Sequence, residues 1–193
     1  MSGSARPFRL VVLDRDGVIN QESDEFIKSA AEWKPLEGSL EGISLLSRSG
    51  FTVAVASNQS GIGRGLFDRN TLYSIHRKMR RAVRAAGGSI DCIVFCPHLP
   101  DDHCDCRKPA PGLLMRLGRR YGVSLQGVPV IGDSERDLAA ARAAGARPVL
   151  VLSGNGRKTR AELDRLHVPV ECYENLLAAA RALVSEAEVA GEQ

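Results

Sequence analysis

Leu10-Val11-Val12-Leu13-Asp14-Arg15-Asp16-Gly17-Val18-Ile19-Asn20 is the stretch from which the fold can be read. Four consecutive apolar residues, two of them β-branched, predict a strand buried on both faces, as in a parallel sheet with helices on either side. The strand delivers Asp14 and Asp16 as the backbone turns, and Gly17 lets the chain bend away at once. In extended backbone alternate side chains share a face. D-x-D therefore sets two carboxylates side by side at the carboxyl end of the strand, where α/β folds keep their ligands. Taken alone the stretch also reads as a strand-end turn with solvated acids, since Asp and Gly are ordinary turn residues. The rest of the chain has to decide.

Outward from that strand, Leu40, Ile43, Leu45 and Leu46 recur at helical spacing over 39–49, stopped by Gly50. A second buried strand over 51–56 delivers Ser57-Asn58-Gln59-Ser60-Gly61-Ile62-Gly63-Arg64-Gly65. A helix is expected over 68–86, with Asp68 as N-cap and Gly87-Gly88 as its stop. Its Arg77, Lys78, Arg80, Arg81 and Arg84 read as a solvated face. Further strands are predicted over 90–95, 128–131 and 149–152, with a weak one over 168–172. Helices are expected over 112–122, 135–144 and 175–186, plus a short one after 156, with the last few residues frayed. Strands alternating with helices imply right-handed βα units: a Rossmann-like parallel sheet covered on both faces, one domain over residues 1–193, with no large cap.

Composition bounds the function. With 193 residues, 44% hydrophobic and 25% charged, the chain can bury a full core. Lys and Arg (26) barely exceed Asp and Glu (23), and only 5% of residues are aromatic, which argues against nucleic acid as partner. No apolar run approaches a membrane span, and residues 1–9 lack a secretory h-region. A cytoplasmic monomer acting on a small molecule is expected.

Four predicted strand ends now carry Asp14/Asp16, Ser57/Asn58, Arg107/Lys108 and Asp133/Asp137. Acids that share a divalent cation, a hydroxyl and an amide that hold oxygen atoms, and a lysine that neutralises charge are the parts of a phosphoryl-transfer site. Asp14 and Asp133 suit Mg²⁺, which prefers a few carboxylate oxygens plus water and phosphate, leaving Asp16 as acid and base. Between the third strand and Lys108 lies Cys96-Pro97-His98-Leu99-Pro100-Asp101-Asp102-His103-Cys104-Asp105-Cys106. Cys96, His98, Cys104 and Cys106 make a closed tetrahedral set for a structural Zn²⁺, with His98 preferred to His103 because His103 adjoins Cys104. The zinc would staple the loop that aims Arg107 and Lys108. Cys92 and Cys172 read as core residues.

These motifs, in order over residues 8–153, resemble the haloacid-dehalogenase superfamily of phosphatases. The resemblance implies Asp14 as nucleophile forming an aspartyl-phosphate and Asp16 as general acid and base. It implies Ser57 and Asn58 on the transferring phosphoryl group, Lys108 offsetting charge, and Mg²⁺ held by Asp14, the Asp16 carbonyl and Asp133. Such preorganised charges lower the barrier to phosphoryl transfer. Ser57 stands where many members have threonine, and Ser134 where some have lysine. The zinc loop followed by C-R-K-P resembles two branches of the superfamily, the heptose-bisphosphate and the histidinol-phosphate phosphatases. Asn58-Gln59-Ser60-Gly61-Ile62-Gly63-Arg64-Gly65-Leu66-Phe67 and 153–159 look like the heptose branch, which implies a sugar bisphosphate substrate contacted by Ser57, Asn58, Gln59, Arg64 and Arg107. A bisphosphate needs a second anion site, and Gly61, Gly63 and Gly65 around Arg64 offer backbone amides and a guanidinium, with Arg107 and Lys158 as other candidates. Trp33 reads either as a wall over the sugar or as local packing.

Overall fold

The structure, a computed structural model, describes residues 8–190. Strands β1 (Arg9–Leu13), β2 (Phe51–Asn58), β3 (Cys92–Cys96), β4 (Pro129–Gly132), β5 (Arg147–Val151) and β6 (Glu171–Tyr173) are joined by α1 (Ser39–Arg48), α2 (Ser60–Gly63), α3 (Arg69–Ala85), α4 (Gly112–Tyr121), α5 (Glu135–Ala143), α6 (Gly156–Arg165) and α7 (Leu176–Val189). All strand pairs are parallel, in the order β3-β2-β1-β4-β5-β6. From β1 the chain first builds outward through β2 and β3, then returns to lay β4 on the other flank of β1. The order therefore reverses at β1/β4, and such a reversal opens a crevice at the carboxyl ends of the strands.

Strand parity divides the interior into two layers. Val11, Leu13, Val53 and Val55 face one core with Ile43 and Leu46 of α1, Ile75, Met79 and Val83 of α3, and Leu183 of α7. Leu10, Val12, Ala54 and Ala56 face the other with Leu113, Leu114 and Leu117 of α4 and Ala140 and Ala141 of α5. This is the period-2 alternation of a strand covered on both faces. The helix ends carry the expected chemistry: the Asp68 carboxylate accepts from Thr71 N at 2.7 Å and Asn175 Oδ1 accepts from Ala178 N at 3.0 Å. No helix among the described residues is long and apolar enough to cross a membrane.

Four expectations change or are settled. The glycine-rich segment after β2 is a helical turn, α2, not an open loop. The N–H groups of Ile62, Gly63, Arg64, Gly65 and Leu66 all donate to nearby carbonyls and are not available to cradle an anion. Trp33 is packing: it is 1% exposed and its Nε1 donates to Asn20 Oδ1 at 3.0 Å. The basic face of α3 is only partly a solvated surface. Lys78 Nζ donates to Ala30 O and Trp33 O, and Arg80 donates to Ile90 O and Asp91 O, fastening neighbouring loops. The helix expected to end near 186 continues to Val189, and the frayed end itself falls largely on 191–193, outside the described residues.

His76 of α3 is buried, edge-on to Phe95, with no hydrogen-bond partner for Nε2. Burial, and then the nearby Arg15 charge, push its pKa down from 6.5 to about 3. Between those values the unfolded chain binds a proton that the folded chain refuses, so stability falls as pH falls. Replacing His76 with Phe should flatten that limb: between pH 7 and pH 5 the wild type should lose up to about 2 kcal/mol more than the variant. Denaturant titrations at the two pH values check this, and identical losses would contradict the assignment.

Candidate active site

Every element that the sequence placed at a strand end converges on one crevice of about 150 Å³. Its floor is a buried ion pair. Lys108, 4% exposed, donates from Nζ to Asp14 Oδ1 at 2.7 Å, Asp137 Oδ1 at 2.5 Å and the Ala56 carbonyl at 2.8 Å. An ammonium has three protons, and all three are committed. Burial disfavours the charged lysine, but Asp137 and Asp14 outweigh it and hold the side chain protonated. Asn58 fixes the lysine's backbone: its amide accepts from Lys108 N and donates to Lys108 O, both at 3.0 Å. Its side chain therefore braces Lys108, with one Nδ2 proton left for a ligand.

Asp16 stands beside this pair in a separate cage. Arg15, 1% exposed, grips both carboxylate oxygens, from Nε at 3.1 Å and Nη2 at 2.9 Å. Asn20 Nδ2 donates to Oδ1 at 2.8 Å and Gln59 Nε2 to Oδ2 at 2.9 Å. Partial burial would raise the Asp16 pKa, but the guanidinium and the two amides hold it below the usual carboxylate range. Gln59 also donates to Ser57 Oγ at 2.8 Å, so the hydroxyl keeps its own proton for a ligand. Two carboxylates two residues apart thus have different surroundings.

At the end of β4, Asp133 is 2% exposed and its Oδ2 accepts from Asn155 N at 2.8 Å. The chain folds tightly around it. A Cβ on Gly17, at φ 81°, would lie 1.9 Å from Asp133 Oδ2, and one on Gly154, at φ 56°, 2.2 Å from the same atom. Only glycine fits at either position, both for space and for backbone. Asp137 closes the set from α5. Its Oδ2 accepts from Ser134 N at 3.1 Å and Ser134 Oγ at 2.6 Å, capping the helix, while Oδ1 holds Lys108.

Oxygen atoms of Asp14, Asp133 and Asp137 lie within 4.8 Å of one another. Both Asp137 oxygens are engaged, which leaves Asp14 and Asp133 as the acids free to hold a cation. Burial pushes Asp14 up to about 7, against the pull of Lys108, and Asp133 up to about 8, where the Asp14 charge adds to burial. Two buried carboxylates that each resist ionisation fit a hard divalent ion supplying the missing positive charge. The Asp16 carbonyl, which accepts no backbone hydrogen bond among the described residues, is a further oxygen donor beside them.

The second cluster is equally compact. Cys96 Sγ lies 3.5 Å from His98 Nδ1 and 3.6 Å from Cys104 Sγ, Cys106 Sγ lies 3.3 Å from His98 Nδ1 and 3.6 Å from Cys104 Sγ. A tetrahedron built on metal–sulfur bonds of about 2.3 Å has S···S edges of about 3.8 Å, so the four atoms fit one four-coordinate metal. Cys92 and Cys172 stand outside the cluster, packed against the core.

Of the residues expected to meet a ligand, Asp14, Asp16, Ser57, Asn58, Gln59, Arg107, Lys108 and Asp133 line the crevice. Arg64 does not; its guanidinium lies 5.9 Å from the centroid of the Phe26 ring, and it is that ring which lines the wall. Lys158 is exposed on α6, away from the wall. Sequence reading missed Asn20 as a brace of Asp16, Asp137 as a brace of Lys108, and Glu22 and Arg136 as wall residues. Asn20 stood in the opening motif. Its i, i+4 distance from Asp16 was the available signal.

Comparison with known proteins agrees with this geometry. A family model described as "Polynucleotide kinase 3 phosphatase" matches residues 9–135, and one described as "HAD-hyrolase-like" matches 105–179. The chain is 53% identical over 179 residues to the D-glycero-β-D-manno-heptose-1,7-bisphosphate 7-phosphatase of Bordetella bronchiseptica, covering 93% of this chain and 99% of that one. The enzyme of that name from Pseudomonas aeruginosa is 53% identical over 150 residues, covering 78% and 84%. The crystal structure of the Bordetella bronchiseptica D,D-heptose 1,7-bisphosphate phosphatase complexed with magnesium and phosphate superposes with a TM-score of 0.89 at 52% identity, covering 93% and 99%. The corresponding Burkholderia thailandensis structure gives 0.72 at 43% identity, covering 92% and 99%. With its D-x-D pair, serine, lysine and fourth acid gathered at one switch point, the chain belongs to the haloacid-dehalogenase-like phosphatases, in the branch of the heptose-bisphosphate enzymes.

Proposed function

We propose that this chain removes the 7-phosphate of D-glycero-β-D-manno-heptose 1,7-bisphosphate through an aspartyl-phosphate on Asp14, serving the synthesis of nucleotide-activated heptose. The observation that carries the chemistry is the fixed Asp14 carboxylate: Lys108 holds Oδ1 at 2.7 Å, and Oδ2 is left without a protein hydrogen bond among the described residues. The whole-length likeness to the Bordetella bronchiseptica enzyme supports the substrate, and the relatives named for the heptose bisphosphate favour it over histidinol phosphate.

Asp14 Oδ2 attacks phosphorus in line with the leaving sugar oxygen, and the P–O bond to the sugar breaks. Asp16 donates its proton to that oxygen. The Arg15, Asn20 and Gln59 contacts favour ionised Asp16, and a neighbouring phosphate dianion raises its proton affinity for the first step. In the second step ionised Asp16 takes a proton from water, whose oxygen displaces the phosphoryl group from Asp14. Ser57 donates its hydroxyl to a phosphoryl oxygen, and Lys108 keeps Asp14 aimed. Mg²⁺ on Asp14, Asp133 and the Asp16 carbonyl would supply charge to offset the transferring group. Arg107 lines the wall on the side of the loop after β3 as one cation available to the retained phosphate, and Arg64 packs on Phe26 outside the lining. Zn²⁺ on Cys96, His98, Cys104 and Cys106 would fasten the loop before Arg107 and Lys108. Free thiols in such a cluster suit a reducing compartment, which supports a cytoplasmic enzyme.

Asp14→Asn should abolish turnover with the fold intact, because an amide cannot carry the acyl phosphate. Asp16→Asn should cost ~10²–10⁴-fold in kcat. Phosphate release from the bisphosphate measures both, and near-normal rates in either variant remove that residue's role. Elemental analysis should find about one tightly held zinc per chain. Cys104→Ala or Cys106→Ala should lower both Tm and turnover, whereas a zinc-free protein of full activity would dispose of the staple.

A further inference from the structure

We infer that Arg136, in the first turn of α5, is a specificity-determining residue that binds the phosphate retained on the product, from the side of the crevice opposite Arg107. The inference rests on the bisphosphate reading above and names the group that makes a bisphosphate the preferred substrate.

Charge frames the argument. Five carboxylates and four cations line the crevice, so without a metal it is not an anion site by default. Two of those cations are buried and held by protein carboxylates, although Arg15 Nη1 has no hydrogen-bond partner among the described residues. Lys108 uses all its protons on Asp14, Asp137 and Ala56 O, and Arg15 is buried with its grip on Asp16. Arg107 touches only the His98 carbonyl, at 3.4 Å. Arg136 is exposed, lines the wall, and makes no ion pair or side-chain hydrogen bond among the described residues. Its charge is nevertheless felt inside: burial and then Asp16 raise the Glu22 carboxyl, and Arg136 draws it back. Arg64, which the sequence offered for this role, packs on the Phe26 ring and does not line the crevice.

Topology puts the two available guanidiniums on different sides. Arg107 arrives from the loop after β3 and Arg136 from the helix after β4; β4 lies next to β1 on one side, and β3 lies beyond β2 on the other. A monophosphate seated over Asp14 is served by the floor. A substrate with phosphates at both ends needs a second cation whichever wall its far end meets. Ser134 cannot supply it, because it is neutral and its hydroxyl is bonded to Asp137 at 2.6 Å. Arg136, two positions further on, is the cation that this wall offers. Anchoring a remote group also orients the reacting one.

The test is the ratio of kcat/KM for heptose 1,7-bisphosphate to that for p-nitrophenyl phosphate in the wild type, Arg136→Ala and Arg136→Lys. Arg136→Ala should lower the ratio about tenfold or more, mostly through KM for the bisphosphate, and Arg136→Lys should recover part of it. Circular dichroism confirms that the exposed substitution leaves the fold in place. An unchanged ratio, whether both rates fall together or neither falls, would overturn the inference while leaving the bisphosphate reading standing. A wild type that cleaves p-nitrophenyl phosphate but not the bisphosphate would overturn that reading and the inference with it.

Discussion

A single ammonium group holds the active site together. Lys108 Nζ is buried among two carboxylates and a main-chain carbonyl, and each contact ties it to a different strand end: Asp14 after β1, Ala56 in β2 and Asp137 in the helix after β4. A buried charge is costly unless it is paired and fully hydrogen-bonded, and here every proton is satisfied. The constraint also runs the other way. Asp14 can present one chosen oxygen to the crevice only because the other is pinned. Asn58 and Asp137, which both bond to Lys108, belong to this device as much as the lysine does.

The lysine reaches its place because the loop before it is short of freedom. Cys96 closes β3, Cys106 stands two residues before Lys108, and both are buried in the layer that packs beneath α4. A metal on the four clustered donors would tie the start of the loop to its end. Long irregular segments close at an entropic cost, and a clip near the functional residue restricts the arrangements it can adopt. The same sheet therefore has one Cys/His cluster placed to shape a loop and one acid pair suited to take part in chemistry.

Much of this was legible in the residues. Buried strands ending in Asp14, Ser57 and Asp133 announced a parallel sheet with its ligands at one edge, because a run of β-branched residues that stops at a carboxylate has few other readings. The Cys and His spacing announced the second cluster in the same way. Strand order was not legible: nothing local says that β4 lies against β1 instead of β3, yet that placement is what brings Asp133 to Asp14. The glycines after β2 misled, since glycine marks freedom for a ligand and close packing alike; a Cβ on Gly61 would meet Phe67 at 2.3 Å. Asp137 was read with Asp133 as part of the acid set, but only the fold shows it turned to Lys108; Arg136 looked like an ordinary residue of a helix start and proves to line the crevice wall.

If the pinned lysine is the centre of the site, a residue that touches Lys108 without a free oxygen for a ligand should still govern the rate. The steady-state kcat of Asp137→Asn on the heptose bisphosphate is the direct measure. The account predicts a fall of about ten- to a hundredfold with KM little altered, the loss expected when a buried charged hydrogen bond is broken without changing how substrate is seated. A variant with wild-type kcat would contradict it, because Asp14 would then be aimed without the clamp.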